Sequence, residues 1–398
     1  MTSMAAARTI GAAGYQRPMR VLHLITALDT GGAQMMLYKL LSASDPNRVS
    51  ARVISLVTGG DLAEPIRDLG WPVADLGLRR GRPNPTALAG FIRRVRAWSP
   101  DLVQTWMYHA DLVGALARPW LGAVPLLWNL RQSDLDPVTS KRTTRWTVRL
   151  CAALSRAAPS HILCCSEQTR RVHRALGYRA DIMSVIPNGF DLDLFRPDPS
   201  ARVRLRDELG LTPGTPLICG AARFDPQKDF RTLLVAMARL REQAPLLHLV
   251  LCGSQLEATN PLLAAWLAEL RLADRTHLLG LRRDMPRILA GCDLLVSASA
   301  YGEGFPNIVG EAMACGIPCV VTDVGDSAAI VADTGAVVAP RDPAALAAAI
   351  GRLLACGRPC LVELGARARQ RVAEQFALPA IADQYTRLYE SLANGVLR

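Results

Sequence analysis

At 398 residues the chain exceeds the roughly 100–200 residues of a usual domain, so two domains are expected. Hydrophobic residues make up 50% and charged residues 20%, and no run reaches the roughly 18 uninterrupted apolar residues of a membrane-spanning helix. The net charge of +11 is uneven: residues 1–180 hold 24 Lys and Arg against 11 Asp and Glu, whereas 181–398 hold 22 against 24. A basic first half points to an anionic surface or partner. Nucleic acid is disfavoured, because no zinc-finger, RNA-recognition or helix-turn-helix signature accompanies the charge.

Residues 1–19 lack the continuous apolar centre of a signal peptide and are interrupted by Arg8 and Arg17. They read as a disordered lead-in to a cytoplasmic protein. The ten cysteines show no Cys-x-x-Cys spacing and are expected to be buried free thiols in a reducing compartment.

From residue 20 onward, short apolar runs alternate with amphipathic stretches, the pattern of β-α-β units and parallel sheets. Strands are expected at 20–25, 53–57, 102–105, 126–129, 161–165 and 183–186, with helices near 33–42, 61–69, 85–97 and 110–118. Residues 187–199, PNGFDLDLFRPDP, have no helical period and read as a connector. The alternation restarts with strands at 217–221, 247–252, 277–279, 294–298 and 318–322. Helices follow near 229–241, 260–270, 343–355, 359–375 and 379–393. The expected fold class is therefore α/β, with two Rossmann-like α/β/α domains, 20–190 and 191–375, facing a cleft. The last helix, about 376–398, is expected to pack back on the first domain. Ligands in such folds bind at the carboxyl ends of the strands.

Four segments carry chemistry at those ends. In DTGGAQ, Gly31 and Gly32 read as a tight turn whose amides face a ligand, although a plain turn fits equally well. In TWMYHADLVGALAR, His109 falls between a strand and a helix, either as a structural cap or on the cleft side. In GAARFDPQKDF, Arg223 and Lys228 lead into a helix and match a diphosphate, or are two surface cations near a turn. In AYGEGFPNIVGEAMACGIPCV, a Gly-rich loop carries Glu303 and Pro306 opens a helix. The backbone around Phe305, Pro306, Asn307 and Ile308 then offers unpaired amides to phosphate or sugar oxygens, and Glu311 lies a turn deeper. Carboxylates accept hydrogen bonds from paired sugar hydroxyls. The dinucleotide fingerprint G-x-G-x-x-G is absent, which argues against an ordinary dehydrogenase.

One basic segment stands apart. SKRTTRWTVRLCAALSR, residues 140–156, sets Lys141, Arg142, Arg145, Arg149 and Arg156 among Trp146, Leu150 and Leu154, which share one helical stripe. The favoured expectation packs that stripe on the sheet and leaves the cations solvated. The alternative lays the helix on an anionic membrane.

Together these segments resemble glycosyltransferase family 4, the retaining enzymes of GT-B fold, from about residue 20 to 389. The resemblance is most specific at EGFPNIVGEAMACGIPCVVTDVG, which holds a Glu-x7-Glu motif as Glu303 and Glu311, and at IPNGFDLDLF and ARFDPQKDF. It implies a transferase moving a sugar from a nucleoside-diphosphate donor to a sugar or lipid-linked acceptor by front-face attack, with no metal and no other cofactor. Glu303 would then hold the donor sugar and Glu311 the ribose, while Arg223 and Lys228 grip the diphosphate. His109 would sit against the sugar and Gly32 near the phosphate. Arg282, in the loop 281–284, would meet the nucleobase, and Asn188 would belong to the interdomain crossing. Peripheral, weak association with an anionic membrane and a part in cell-envelope polysaccharide assembly would fit the basic half. The chain departs from the family at Gln34, where Glu is common, at Asp326 and Ala329, where Gly and Glu are common, and at Gly253-Ser254-Gln255-Leu256 in place of Gly-Asp-Gly-Pro. Two other functions stay open on the same fold: a catalytically silent sugar-nucleotide-binding protein and a nucleotide-sugar isomerase.

Overall fold

A computed structural model describes residues 17–78, 85–133 and 142–396. In the first half, strands β1 (Met19–Ile25), β2 (Val49–Val57), β3 (Val73–Leu78), β4 (Leu102–Trp106), β5 (Leu126–Leu130), β6 (His161–Cys164) and β7 (Met183–Val185) alternate with helices. Those helices are α1 (Gly32–Ser42), α2 (Ala63–Asp68), α3 (Pro85–Trp98), α4 (Tyr108–Leu121), α5 (Arg142–Leu154) and α6 (Glu167–Ala175). After α7 (Pro199–Glu208) come strands β8 (Leu217–Ala221), β9 (His248–Cys252), β10 (Thr276–Gly280), β11 (Leu294–Ser297), β12 (Cys319–Thr322) and β13 (Ala336–Val338). Their helices are α8 (Phe230–Arg239), α9 (Pro261–Glu269), α10 (Met285–Gly291), α11 (Asn307–Ala314), α12 (Ser327–Val331), α13 (Pro343–Ala355), α14 (Gly357–Gln375) and α15 (Leu378–Ala393).

Two fully parallel sheets result, ordered β3-β2-β1-β4-β5-β6-β7 and β10-β9-β8-β11-β12-β13. Both are doubly wound and reverse direction beside the first strand, between β1 and β4 and between β8 and β11. At such a switch point two neighbouring loops diverge and leave a crevice. Alternate side chains of the first sheet feed two apolar layers: Val21, Val53 and Trp106 on one face, Leu22, Ile54 and Val103 on the other. This is the expected signature of strands covered on both sides.

The chain crosses between the sheets twice, side by side. Phe190 donates its amide to Phe376 O at 2.8 Å, and Leu378 donates to Phe190 O at 2.9 Å. Helix α15 then buries Ile381, Tyr385 and Tyr389 in the first sheet's core, the packing expected of the last helix. Among the described residues no single helix is long and apolar enough to cross a membrane.

Three expectations need correction. Of the proposed lead-in, residues 1–16 lie outside the described residues, but Met19 already pairs with Val49 in β1. Eight cysteines are free and buried, whereas Cys356 and Cys360 form a disulfide at the junction of α13 and α14. Helix α5 does not turn its bulky stripe inward: Val148, Cys151 and Ala152 are buried, while Trp146 is 69% and Leu150 48% exposed. These side chains enter the apolar layer shared with α4, and the bulkier Trp146 and Leu150 stay outside.

Gly310 is required where α11 meets the crossing. A Cβ there would lie 2.1 Å from the Phe190 ring. Overpacking of this kind costs about 1–3 kcal/mol. Gly310→Ala is therefore expected to lower stability by that amount in urea titration, with Phe190→Leu in the same chain recovering part of the loss.

Candidate active site

The two switch points face each other, and a cavity of about 600 Å³ lies between them. Its walls are the carboxyl ends of β1, β4, β5 and β6 on one side and of β8 and β11 on the other. Gly31, Gly32, Gln34, Met107, Arg131 and Asn188 line the first wall; Arg223, Lys228, Glu303, Phe305, Pro306, Asn307, Ile308 and Glu311 line the second. Met107 adopts φ +72°, an unfavourable conformation for a side chain of its size, directly at the β4–α4 turn.

Glu303 is only 7% exposed. A carboxylate so far from water needs compensation. Ser299 donates to Glu303 Oε1 at 2.6 Å, and the Lys228 ammonium is in contact with the same oxygen. Lys228 ends a short 3-10 turn whose residue Asp225 accepts from Gln227 N at 3.0 Å. The next residue, Asp229, takes the left-handed conformation at φ +45° and caps α8 by accepting from Thr232 N at 3.1 Å. Two aspartates thus fix the loop that aims Lys228 inward. Arg223 precedes them, largely exposed at the cavity mouth and 3.4 Å from Asp225. The Glu303 loop is held from behind, because Ser133 donates to Glu303 O and Gly325 packs so closely that a Cβ would sit 2.3 Å from that carbonyl.

Helix α11 starts at Asn307, so its first amides open on the cavity beside Glu303, where helix geometry leaves them without intrahelical partners. One turn in, Glu311 meets Lys39 of α1 at 3.0 Å, across the gap between the sheets. Asn188 makes a second tie: it donates to Phe305 O at 3.2 Å and to Asn307 Oδ1 at 2.7 Å, and accepts from Arg131. Asp326 makes a third, accepting from Glu167 N at 2.9 Å and Gln168 N at 3.0 Å. It caps a helix of the opposite half, and burial pushes its carboxyl above the usual range even so. Lys39, Arg131, Ser133 and Ser299 were not anticipated.

The structure brings Gly31, Gly32, Arg223, Lys228, Glu303, Phe305, Pro306, Asn307, Ile308 and Glu311 to one cavity. It does not bring His109 and Arg282 there. His109 stands exposed in the first turn of α4, two residues past Met107, with partial burial lowering its imidazole pKa. The Gly31–Gly32 turn needs no left-handed backbone; Gly31 is extended at φ −170°. Arg282 is held by Asp284 at 2.8 Å and Glu208 at 2.9 Å, in a network with Arg287. Among the described residues no group of three or more His, Cys, Asp and Glu side chains is arranged to hold a metal ion. Arg282→Ala is accordingly expected to change nucleoside-diphosphate affinity less than about threefold, and to lower stability by about 0.2–1 kcal/mol, the usual worth of an exposed pair. Calorimetric titration and urea unfolding check the two halves of that statement.

Comparison with known proteins agrees with this geometry. Residues 30–194 match the profile of Glycosyltransferase Family 4, and residues 215–356 that of Glycosyl transferases group 1. EpsF of Bacillus subtilis (strain 168), which carries the name of a glycosyltransferase, is 27% identical over 76% of this chain and 79% of its own length. A D-inositol 3-phosphate glycosyltransferase of Segniliparus rotundus is 29% identical over 62% of this chain, which spans 56% of that relative. Among solved structures, the Anabaena protein Alr3699/HepE in complex with UDP superposes with a TM-score of 0.82 at 24% identity, covering 94% of this chain and 100% of that one. The two profiles account for both halves in order, each including residues that line the cavity, and the chain belongs to the family 4 glycosyltransferases of GT-B fold.

Proposed function

We propose that the chain transfers a sugar from a nucleoside-diphosphate donor to an acceptor hydroxyl with retention at the anomeric carbon and without a metal. The observation that carries this reading is the Lys228–Glu303 pair, buried where the two switch points meet and flanked by the opening amides of α11. Lys228, Arg223 and those amides offer positive potential for a diphosphate, while Glu303 and Glu311 offer acceptors for sugar and ribose hydroxyls. As the bond from the anomeric carbon to the diphosphate breaks, negative charge grows on the departing phosphate and is met by these donors. The acceptor oxygen forms its bond on the face the diphosphate leaves, and its proton passes to a phosphate oxygen. Each carboxylate in the cavity is tied to a lysine, which suits a binding role better than attack on the sugar.

In this reading Lys228→Ala lowers turnover by around 10²–10³. Arg223→Ala lowers it less, because that guanidinium stands at the exposed mouth. Release of nucleoside diphosphate across a panel of nucleotide sugars measures both. Lys228→Ala turning over at the native rate would overturn the assignment.

The proposed setting is the cytoplasmic face of a membrane, with a lipid-linked or polysaccharide acceptor. Helices α3, α4 and α5 pack side by side over one face of the first sheet. They carry seven arginines and one carboxylate, Asp111, which is wholly buried. Leu116, Trp120, Trp146 and Leu150 are exposed on the same layer. Cations beside exposed tryptophan suit an anionic bilayer, such as the cytoplasmic leaflet presents. Each arginine near such a surface contributes about 1 kcal/mol, so replacing Arg142, Arg145 and Arg149 by Gln is expected to weaken binding to phosphatidylglycerol-containing vesicles about a hundredfold. Co-sedimentation at low salt tests this. Binding that is equal on neutral vesicles, or untouched by the triple substitution, would refute the membrane assignment and leave the chemistry standing.

A further inference from the structure

Behind the cavity wall, against Glu311, stands a lysine that the proposed chemistry does not use. Lys39 lies in the last turn of α1, is 7% exposed, and belongs to the half opposite Glu311. Its ammonium is 3.0 Å from Glu311 Oε1 and stands 5.3 Å from the ring of Phe190 and 5.9 Å from that of Phe195. Phe190 and Phe195 flank the interdomain crossing, so the ammonium is boxed in by two aromatic faces and one carboxylate oxygen. A buried ammonium with a single carboxylate partner is costly to separate from it. Glu311 is thereby fixed in one orientation. Among the described residues nothing donates to its other oxygen, Oε2, and Glu311 lines the cavity.

We infer that Lys39 is the positioning residue for the nucleotide's ribose. By occupying Oε1 it presents Oε2 to the cavity as a pre-oriented acceptor for a ribose hydroxyl. Because the ammonium comes from the other half of the molecule, ribose recognition depends on the two halves standing together. This inference rests on the proposed role of Glu311 and adds the group that makes that role work.

The test is calorimetric titration of the full chain with UDP and GDP and with their 2′-deoxy and 3′-deoxy forms. In the native chain the better nucleotide is expected to bind about tenfold more tightly than at least one of its deoxy forms, the worth of one hydrogen bond to a charged group. Lys39→Met is expected to bring that ratio close to one, and Lys39→Arg to keep most of it. A general packing defect would weaken both ligands alike and leave the ratio unchanged, so the ratio separates positioning from structure. Lys39→Leu, which likewise lacks a donor, serves if the methionine variant does not fold cooperatively. A native preference that survives in Lys39→Met or Lys39→Leu overturns the role of Lys39 alone. A native chain that binds neither nucleotide, or binds without regard to the ribose hydroxyls, overturns the role of Glu311 and this inference with it.

Discussion

Everything in this molecule turns on how two cavity carboxylates are paired with lysines. Glu303 is balanced by Lys228 from a neighbouring loop of its own half, and Glu311 by Lys39 from the other half. Removing one member of such a pair leaves a stranded charge, which typically costs 3–5 kcal/mol when fully buried and less at partial exposure. The lysines are therefore structural necessities before they are functional ones. Yet Lys228 stands beside Arg223 and the opening amides of α11, so a diphosphate can share its ammonium with Glu303 without the pair being broken. In the cavity wall, arginine and lysine outnumber glutamate by three, Arg131, Arg223 and Lys228, to two. An arriving anion completes that balance.

The sheets explain why these groups meet at all. A doubly wound sheet exposes a crevice at one place, where the strand order reverses, and both halves have the same order in their six shared positions. Turning the two crevices toward each other brings the ends of six strands to one volume. Tight apolar contact holds that arrangement at the crossing, where Phe190 lies against Gly310 and α15 returns to the first sheet.

Much of this was legible in the sequence, because strand periodicity and loop composition report local physics. Ten of the cavity residues were named from their motifs, and eleven of thirteen strands from apolar runs. The two missed strands sit at sheet edges: β3 is interrupted by Asp75 and Gly77, and β13 has three residues. Arg282 was misplaced because proximity in a loop says nothing about which acid will claim the side chain. The orientation of α5 was misread for a different reason. Bulk does not mark the inward face of this helix, which Val148, Cys151 and Ala152 fill. Lys39 did leave a signal: it interrupts the apolar face Met36, Leu37, Leu40 and Leu41 of α1, and a lysine on a buried stripe must find a partner. That partner lies 272 residues away, and no local pattern reveals it.

Asp326 shows what a departure from a family pattern can mean. Where relatives of this fold commonly carry glycine, this chain has a carboxylate, and the carboxylate reaches across to cap α6. Ser166 takes the amide of Thr169 while Asp326 takes those of Glu167 and Gln168, so the first turn of that helix is fully satisfied by two residues from different halves. A glycine there could not make these bonds, and the α6 amides would turn to water. The ties across the gap, at Lys39, Ser133, Asn188 and Asp326, are all hydrogen-bonded and polar. The crossing itself is apolar and close-packed. The gap is thus spanned by directional polar bonds and the crossing by close-packed aromatic contact, so the two seams are held by different interactions. A site that must admit a large anion and then surround it is served by that division, and Glu303, anchored at both Ser299 and Lys228, stays in place on either side of it.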